Sequence, residues 1–136
     1  MTPALYVETS ALLRSFLEPR RAPSFPAAIS AAEYVVTSRL SLVEAGRALL
    51  RIRRLGELPE TRLSDAETEI ERFFARCELS EITPAVCDLA ARVAPQKNLR
   101  TLDAVHLATF LLARRKVESL ELLTADRRLQ EAAETA

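Results

Sequence analysis

Glycine is nearly missing from this chain: Gly46 and Gly56 are the only two in 136 residues. Neither a GxxxxGK[ST] loop nor a GxGxxG turn can be written with them, so phosphate cradling on a glycine-rich loop is excluded. Histidine is scarcer still, with His106 alone, and the two cysteines, Cys77 and Cys87, lack CxxC spacing. A zinc centre built on nitrogen and sulfur is disfavoured, and a Ser-His-Asp triad would have to rest on His106 with no elbow-like serine nearby. Both cysteines fall in helical stretches and are expected as buried thiols in a reducing compartment. Long apolar runs are absent as well: hydrophobic content is 49%, yet Arg or Glu interrupts each run well short of the ~20 residues that cross a bilayer. The apolar surplus is expected to serve an oligomer or partner interface. Met1-Thr2-Pro3-Ala4 enters a strand-like run without a basic leader, so the cytoplasm is the expected compartment.

What is present is an alternation of strand-like and helical stretches, expected over 1–136 as a single α/β domain. The mostly parallel twisted sheet would have about four to five strands between two helical layers. Ala4 to Glu8 reads as the first strand, and Thr9 or Ser10 as the cap of a helix to about Leu17. Residues 18–26 carry three prolines, which rules out regular helix there. A short helix from about Pro26 to Ala32 precedes a second strand, Tyr34 to Thr37. Ser41-Leu42-Val43-Glu44 fits a capping box for a helix that Gly56 ends, and Ser64-Asp65-Ala66-Glu67 fits another. A third strand is expected near Leu79 to Ile82. Thr83-Pro84 opens a helix to about Ala94, Thr101 one to Lys116, Leu120 to Thr124 is the last strand, and Asp126 begins the terminal helix.

Net charge is zero but unevenly spread. Up to Arg54, eight Arg face four Glu, giving +4, and the remainder has eleven basic against fifteen acidic residues, giving −4. The front of the chain is therefore where a polyanion would land. Seventeen of the nineteen basic residues are Arg, whose planar fork suits phosphate, although a codon bias would produce the same excess. Placed about 100° apart, Leu42, Ala45, Gly46, Leu49 and Ile52 share one face of their helix. Glu44, Arg47, Arg51 and Arg54 share the other.

Four acidic residues stand just past apolar runs or at helix starts: Glu8, Glu44, Asp103 and Asp126. In an open parallel sheet such positions converge beyond the carboxyl ends of the strands. Gathered carboxylates repel and stay ionised together when a cation is bound, and oxygen-only ligands suit Mg²⁺ or Mn²⁺. Such a centre favours phosphodiester hydrolysis, with Arg47, Arg51 and Arg54 as contacts for a nucleic-acid backbone. Other chemistries lack their residues. Glu8-Thr9-Ser10 does not supply the D-x-D block of a haloacid-dehalogenase phosphatase, and Lys97 and Lys116 are poorly placed for a receiver-type phosphoacceptor.

The blocks Tyr6-Val7-Glu8-Thr9-Ser10-Ala11, Ser41-Leu42-Val43-Glu44, Leu102-Asp103-Ala104-Val105-His106-Leu107-Ala108 and Leu123-Thr124-Ala125-Asp126-Arg127 together resemble a PIN domain. More closely, they resemble the VapC-type toxins of prokaryotic toxin-antitoxin pairs, and the resemblance spans essentially the whole chain. It implies that Glu8, Glu44, Asp103 and Asp126 form a metal-binding catalytic quartet for Mg²⁺ or Mn²⁺, with Thr9, Ser10 and Thr124 as hydroxyl neighbours. It also implies RNA as substrate, a small antitoxin as partner and a homodimer. The first acidic position of that family is usually Asp; here it is Glu8, one methylene longer. The alternative that follows is a PIN-like binding or regulatory module with impaired catalysis.

Each of these residues also has a purely structural reading. Glu44 could satisfy a helix start as the capping-box partner, and Asp103 and Asp126 could be first-turn residues favoured by the helix dipole. Arg47, Arg51 and Arg54 could form a solvated face in which Glu44 pairs with Arg47 or Arg51. His106 is expected to be packed and hydrogen-bonded, and Phe73, Phe74 and Phe110 to lie in a core or interface.

Overall fold

Residues Ala4–Val7 form the strand from which the layers are set. The computed structural model describes residues 3–136; Met1 and Thr2, part of the N-terminal segment read for a leader, lie outside the described residues. The order is β1 (Ala4–Val7), α1 (Thr9–Leu17), α2 (Ser24–Ala31), β2 (Tyr34–Ser38), α3 (Arg39–Leu55), α4 (Glu60–Arg76) and β3 (Glu78–Ser80). It continues through α5 (Pro84–Ala90), α6 (Thr101–Lys116), β4 (Glu121–Leu123) and α7 (Arg127–Thr135). The four strands pair in parallel in the order β3-β2-β1-β4, with Tyr6 opposite Val36 on one side and Leu122 on the other.

Successive side chains of a strand point to opposite faces, and β1 divides its residues accordingly. Leu5 and Val7, with Val35, pack against Leu12 of α1, Ile29 of α2, Leu49 of α3 and Leu63 of α4. Ala4 and Tyr6, with Val36, pack against Leu107 and Phe110 of α6 and Leu129 of α7. The result is the expected three-layer α/β arrangement, with four strands.

Several boundaries move, each for a visible reason. Glu8, not Thr9 or Ser10, caps α1: its carboxylate accepts the Ser10 N–H. Ser38, not Ser41, caps α3 by accepting the Leu40 N–H, because the Ser41 hydroxyl is already engaged by Thr37 and Thr9. Helix α4 starts at Glu60, a turn before Ser64, where fully buried Leu63 anchors the first turn. Helix α2 begins at Ser24, two residues before the expected Pro26 and inside the segment expected to hold no regular helix, because Pro26 falls in the first turn, where a missing N–H costs nothing. Helix α5 ends at Ala90, short of Ala94, whose φ of 47° is left-handed. The buried face of α3 is Ser41, Ala45, Ala48 and Leu49, with Gly46 exposed instead of packed. Cys87 is exposed and Cys77 half-buried, against the expectation of two buried thiols, because α5 turns Val86 rather than Cys87 to the interior.

Gly56 behaves as expected, ending α3 with φ 65° while its N–H returns to Arg53 and Ile52. A side chain there would be strained in the left-handed region, so Gly56→Ala is expected to lower the unfolding free energy by about 1 kcal/mol in urea titration.

Candidate active site at the carboxyl end of the sheet

The strand order places a topological switch beside β1. The chain leaves β1 into α1 on one face of the sheet and leaves β4 into α7 on the other, so the connections diverge and open a crevice between the two strand ends. Glu8 sits there, 6% exposed, and its N–H extends the ladder by donating to the Leu123 carbonyl at 3.0 Å. Both of its carboxylate oxygens are engaged. Oε1 accepts from Thr124 Oγ1 at 2.6 Å and from the Ser10 hydroxyl, and Oε2 accepts from the Ser10 N–H at 3.1 Å. Ser10 Oγ in turn accepts the Ala125 N–H at 2.9 Å, and Thr124 Oγ1 accepts the Asp126 N–H at 3.0 Å. Glu8 is thereby a clasp between β1 and the β4–α7 turn.

A second cluster adjoins it. Thr9, buried at the first turn of α1, places Oγ1 3.0 Å from Ser41 Oγ and 2.7 Å from Glu44 Oε1. Glu44 Oε1 also lies 2.6 Å from His106 Nε2, and the other imidazole nitrogen, Nδ1, is 2.8 Å from the Tyr6 hydroxyl. Behind them Thr37 donates to the Val7 carbonyl at 2.6 Å and lies 2.8 Å from Ser41 Oγ. Burial works to raise the Glu44 pKa, but the bond from His106, the charge it can carry and the bond from Thr9 outweigh it and hold the carboxyl below its ordinary value. Burial, followed by the charges of Glu8 and Glu44, pushes the Tyr6 phenol well above its usual range, so it stays a hydroxyl.

The other two acids stand at helix starts. Asp103 lies in the first turn of α6, three residues before His106, with its side chain 17% exposed and Oδ2 3.6 Å from Arg100 Nε. Asp126 caps α7: Oδ1 accepts the N–H groups of Arg128 and Leu129 at 2.9 and 3.4 Å. Its helix-start reading is therefore correct, but only one of its oxygens is used that way. The capping reading of Glu44 is not correct: its carboxylate turns to Thr9 and His106 instead of back to the helix start. Arg47, Arg51 and Arg54 are exposed on α3 and make no ion pair among the described residues, so the anticipated Glu44–Arg pair does not form. His106 is packed and hydrogen-bonded as expected; Phe73 and Phe110 are core, with Phe74 packed against it.

The donor set fits a hard divalent cation in kind. Glu44 Oε2 and Asp126 Oδ2 accept no hydrogen bond among the described residues, and Asp103 has only the long contact to Arg100. Each thus has oxygen to spare for a hydrated Mg²⁺. In spacing the fit is looser: among the described residues no three His, Cys, Asp or Glu side chains stand close enough to grip an ion together. Of the four, Glu8 is the one with neither oxygen free. A groove of about 950 Å³ lies elsewhere, over Leu17, Pro19, Ile52 and Leu58, and none of the four acids lines it.

Sequence reasoning missed the partners of Glu44. Two signals pointed to them: Tyr6 and Glu8 alternate onto the same face of β1, and Asp103 and His106 are one helical turn apart. What no pattern revealed is that α3 and α6, on opposite faces of the sheet, meet at its end through Glu44 and His106.

A parallel α/β sheet with buried Glu8 and half-buried Glu44 in adjoining polar clusters at its carboxyl end defines a class, and comparison with known proteins narrows it. A family model described as the PIN domain matches residues 5–135. Ribonuclease VapC46 of Mycobacterium tuberculosis (strain ATCC 25618 / H37Rv) is 32% identical over 132 residues, covering 97% of this chain and 92% of that protein. Ribonuclease VapC45 of Mycobacterium tuberculosis (strain CDC 1551 / Oshkosh) is 32% identical over 109 residues, covering 80% and 76%. The chain belongs to the PIN-domain family, in its VapC-type branch. The structure of PAE2754 from Pyrobaculum aerophilum superposes with a TM-score of 0.68 at 24% identity, over 98% of this chain and 81% of that one. A toxin-antitoxin complex from Klebsiella pneumoniae gives 0.61 at 20% identity, over 90% and 86%. Both support the fold.

The lowered Glu44 pKa has a stability consequence. A carboxyl whose folded pKa lies below its unfolded value stabilises the fold above the unfolded value and loses that contribution as pH falls through the folded one. Taking 4.5 as the ordinary value, urea titrations from pH 6 to pH 3 should show wild type losing stability below about pH 4.5 more steeply than Glu44→Gln.

Proposed function

We propose that this chain is a Mg²⁺- or Mn²⁺-dependent endoribonuclease, the toxin of a toxin-antitoxin pair. It would act as a single domain over residues 1–136, in the cytoplasm, as a homodimer held in check by a small antitoxin. The observation that supports the reading is the donor set: Glu44 of α3, Asp103 of α6 and Asp126 at the start of α7 each keep carboxylate oxygen free of protein donors among the described residues. The relatives named as ribonucleases and the neighbour described as a toxin-antitoxin complex support the same reading. No helix among the described residues is long and apolar enough to cross a membrane, which agrees with a cytoplasmic site of action.

In this reading Asp103, Asp126 and Glu44 hold the ion, directly or through water, with Glu8 at the quartet's first position. The bound cation would supply charge neutralisation for the phosphoryl group and a water of lowered pKa. Glu44, with Oε2 turned outward, takes the proton from the attacking water. The bond from phosphorus to the 3′ oxygen breaks, leaving a 5′-phosphate and a 3′-hydroxyl. Thr9 and Thr124 fix the carboxylates they touch, and Ser10 holds Glu8. Arg47, Arg51 and Arg54 receive the RNA backbone from the neighbouring face of α3.

The second reading, a PIN module with impaired catalysis, is favoured by one observation: both oxygens of Glu8 are already taken by Ser10 and Thr124. One experiment addresses both. Structured RNAs are incubated with Mn²⁺ or Mg²⁺ and wild type, Asp103→Asn or Glu8→Asp. Loss of about 10²-fold or more in Asp103→Asn is expected of a group at the reacting centre, and equal cleavage by the two proteins would overturn the nuclease assignment. A rise from near zero in Glu8→Asp identifies an impaired wild-type site, and an unchanged rate shows that Glu suffices.

The Arg track makes its own prediction. Replacing Arg47, Arg51 and Arg54 together by Ala should weaken RNA binding and flatten the slope of log affinity against log salt by about 2, since each single-strand phosphate contact contributes roughly 0.7. Fluorescence anisotropy across a salt series measures it.

A further inference from the structure

Glu44 has few means of holding its place. It lies in the second turn of α3, 24% exposed at its side chain, and among the described residues only Thr9 and His106 hydrogen-bond to its carboxylate, both at Oε1. His106 reaches it from α6, whose neighbouring residues Leu107 and Phe110 belong to the core on the other face of the sheet from α3. The contact is thus no by-product of packing within one layer. Two layers meet across the end of the sheet at this hydrogen bond.

The donors and acceptors around the ring decide its tautomer. An ionised carboxylate only accepts, so Nε2, 2.6 Å from Glu44 Oε1, carries a proton. Nδ1 is 2.8 Å from the hydroxyl of Tyr6, a fully buried residue that stays protonated. Thr109 spends its own hydroxyl proton on the Val105 carbonyl at 2.7 Å, and in a neutral ring protonated at Nε2 the Nδ1 nitrogen is an acceptor. Tyr6 therefore donates to Nδ1, and the imidazole donates from Nε2. Tyr6 also fixes the ring edge-on, with centroids 6.0 Å apart and planes at 77°.

We propose that His106, its tautomer set by Tyr6, is a positioning residue that pins Glu44 Oε1 from inside and leaves Oε2 facing the crevice. The role assigned to Glu44 rests on the nuclease reading; the hydrogen-bond relay does not. A ligand or base held by a buried orienting partner typically loses about 10- to 100-fold when that partner is removed.

His106 is the only histidine in the chain, so its imidazole ¹⁵N resonances are unambiguous. In metal-free protein the expected spectrum has a protonated Nε2 and an unprotonated Nδ1, with the Nε2 proton slow to exchange. Adding Mg²⁺ should shift the Nε2 pair more than Nδ1, through Glu44. In cleavage assays His106→Leu is expected to lower kcat about 10- to 100-fold with KM changed far less, while His106→Gln, which keeps an N–H near the Nε2 position, recovers most of the loss. Tyr6→Phe, which removes one hydroxyl and keeps the ring, should redistribute the tautomers and lower kcat in the same direction.

A protonated Nδ1 in the wild type overturns the proposal. So does a folded His106→Leu with wild-type kcat, or equal loss in the Leu and Gln variants. Should His106→Leu fail to fold, Tyr6→Phe decides: unchanged tautomer and unchanged kcat together refute the relay. The two readings fail separately. Cleavage by Asp103→Asn at the wild-type rate removes the nuclease assignment and leaves the NMR result standing, whereas a wrong tautomer removes the positioning role and leaves the nuclease intact.

Discussion

Everything at the site depends on the parallel pairing of β1 with both of its neighbours. Four residues, Ala4 to Val7, are buried on both faces and hydrogen-bonded on both edges, so their alternation is fixed without slack. A slip of one residue would exchange the two cores and turn Tyr6 away from His106. The strand is followed directly by Glu8 and Thr9, which begin the two polar clusters described above. The position of each cluster is therefore inherited from the register of a central strand, not from the conformation of a loop.

The four carboxylates, alike in sequence context, are unlike in structure. Glu8 is saturated by Ser10 and Thr124 and ties β1 to the β4–α7 turn. Asp126 divides its oxygens between a helix start and the crevice. Glu44 is gripped on one oxygen by Thr9 and His106, and Asp103 is the most lightly held. Burial without partners is costly, and the hydroxyls of Thr9, Ser10 and Thr124 answer that cost. They also use up coordination capacity, most completely at Glu8.

The layer arrangement was legible because it follows from period: the apolar runs at residues 4–7, 34–37 and 120–123 and the helical spacing between them leave little choice of architecture. Gly56 and Thr83-Pro84 announced their helix ends by chemistry that acts within a few residues. The starts of α1 and α3 were misplaced because Thr9 and Ser41, good caps by composition, spend their hydroxyls on tertiary partners about thirty residues apart. The link from Glu44 to His106 spans 62 positions. Such a contact is a product of the assembled sheet, and no local pattern encodes it.

The sheet also constrains how other chains can approach. Its two edges, β3 and β4, are three residues long, and β3 begins with charged Glu78 and is followed by charged Glu81. An exposed edge of that length offers too few free backbone groups to template an added strand, and charge there discourages it further. The helical layers, by contrast, present their side chains to solvent on both faces of the sheet. Side chains of the helical layers can change without touching the sheet.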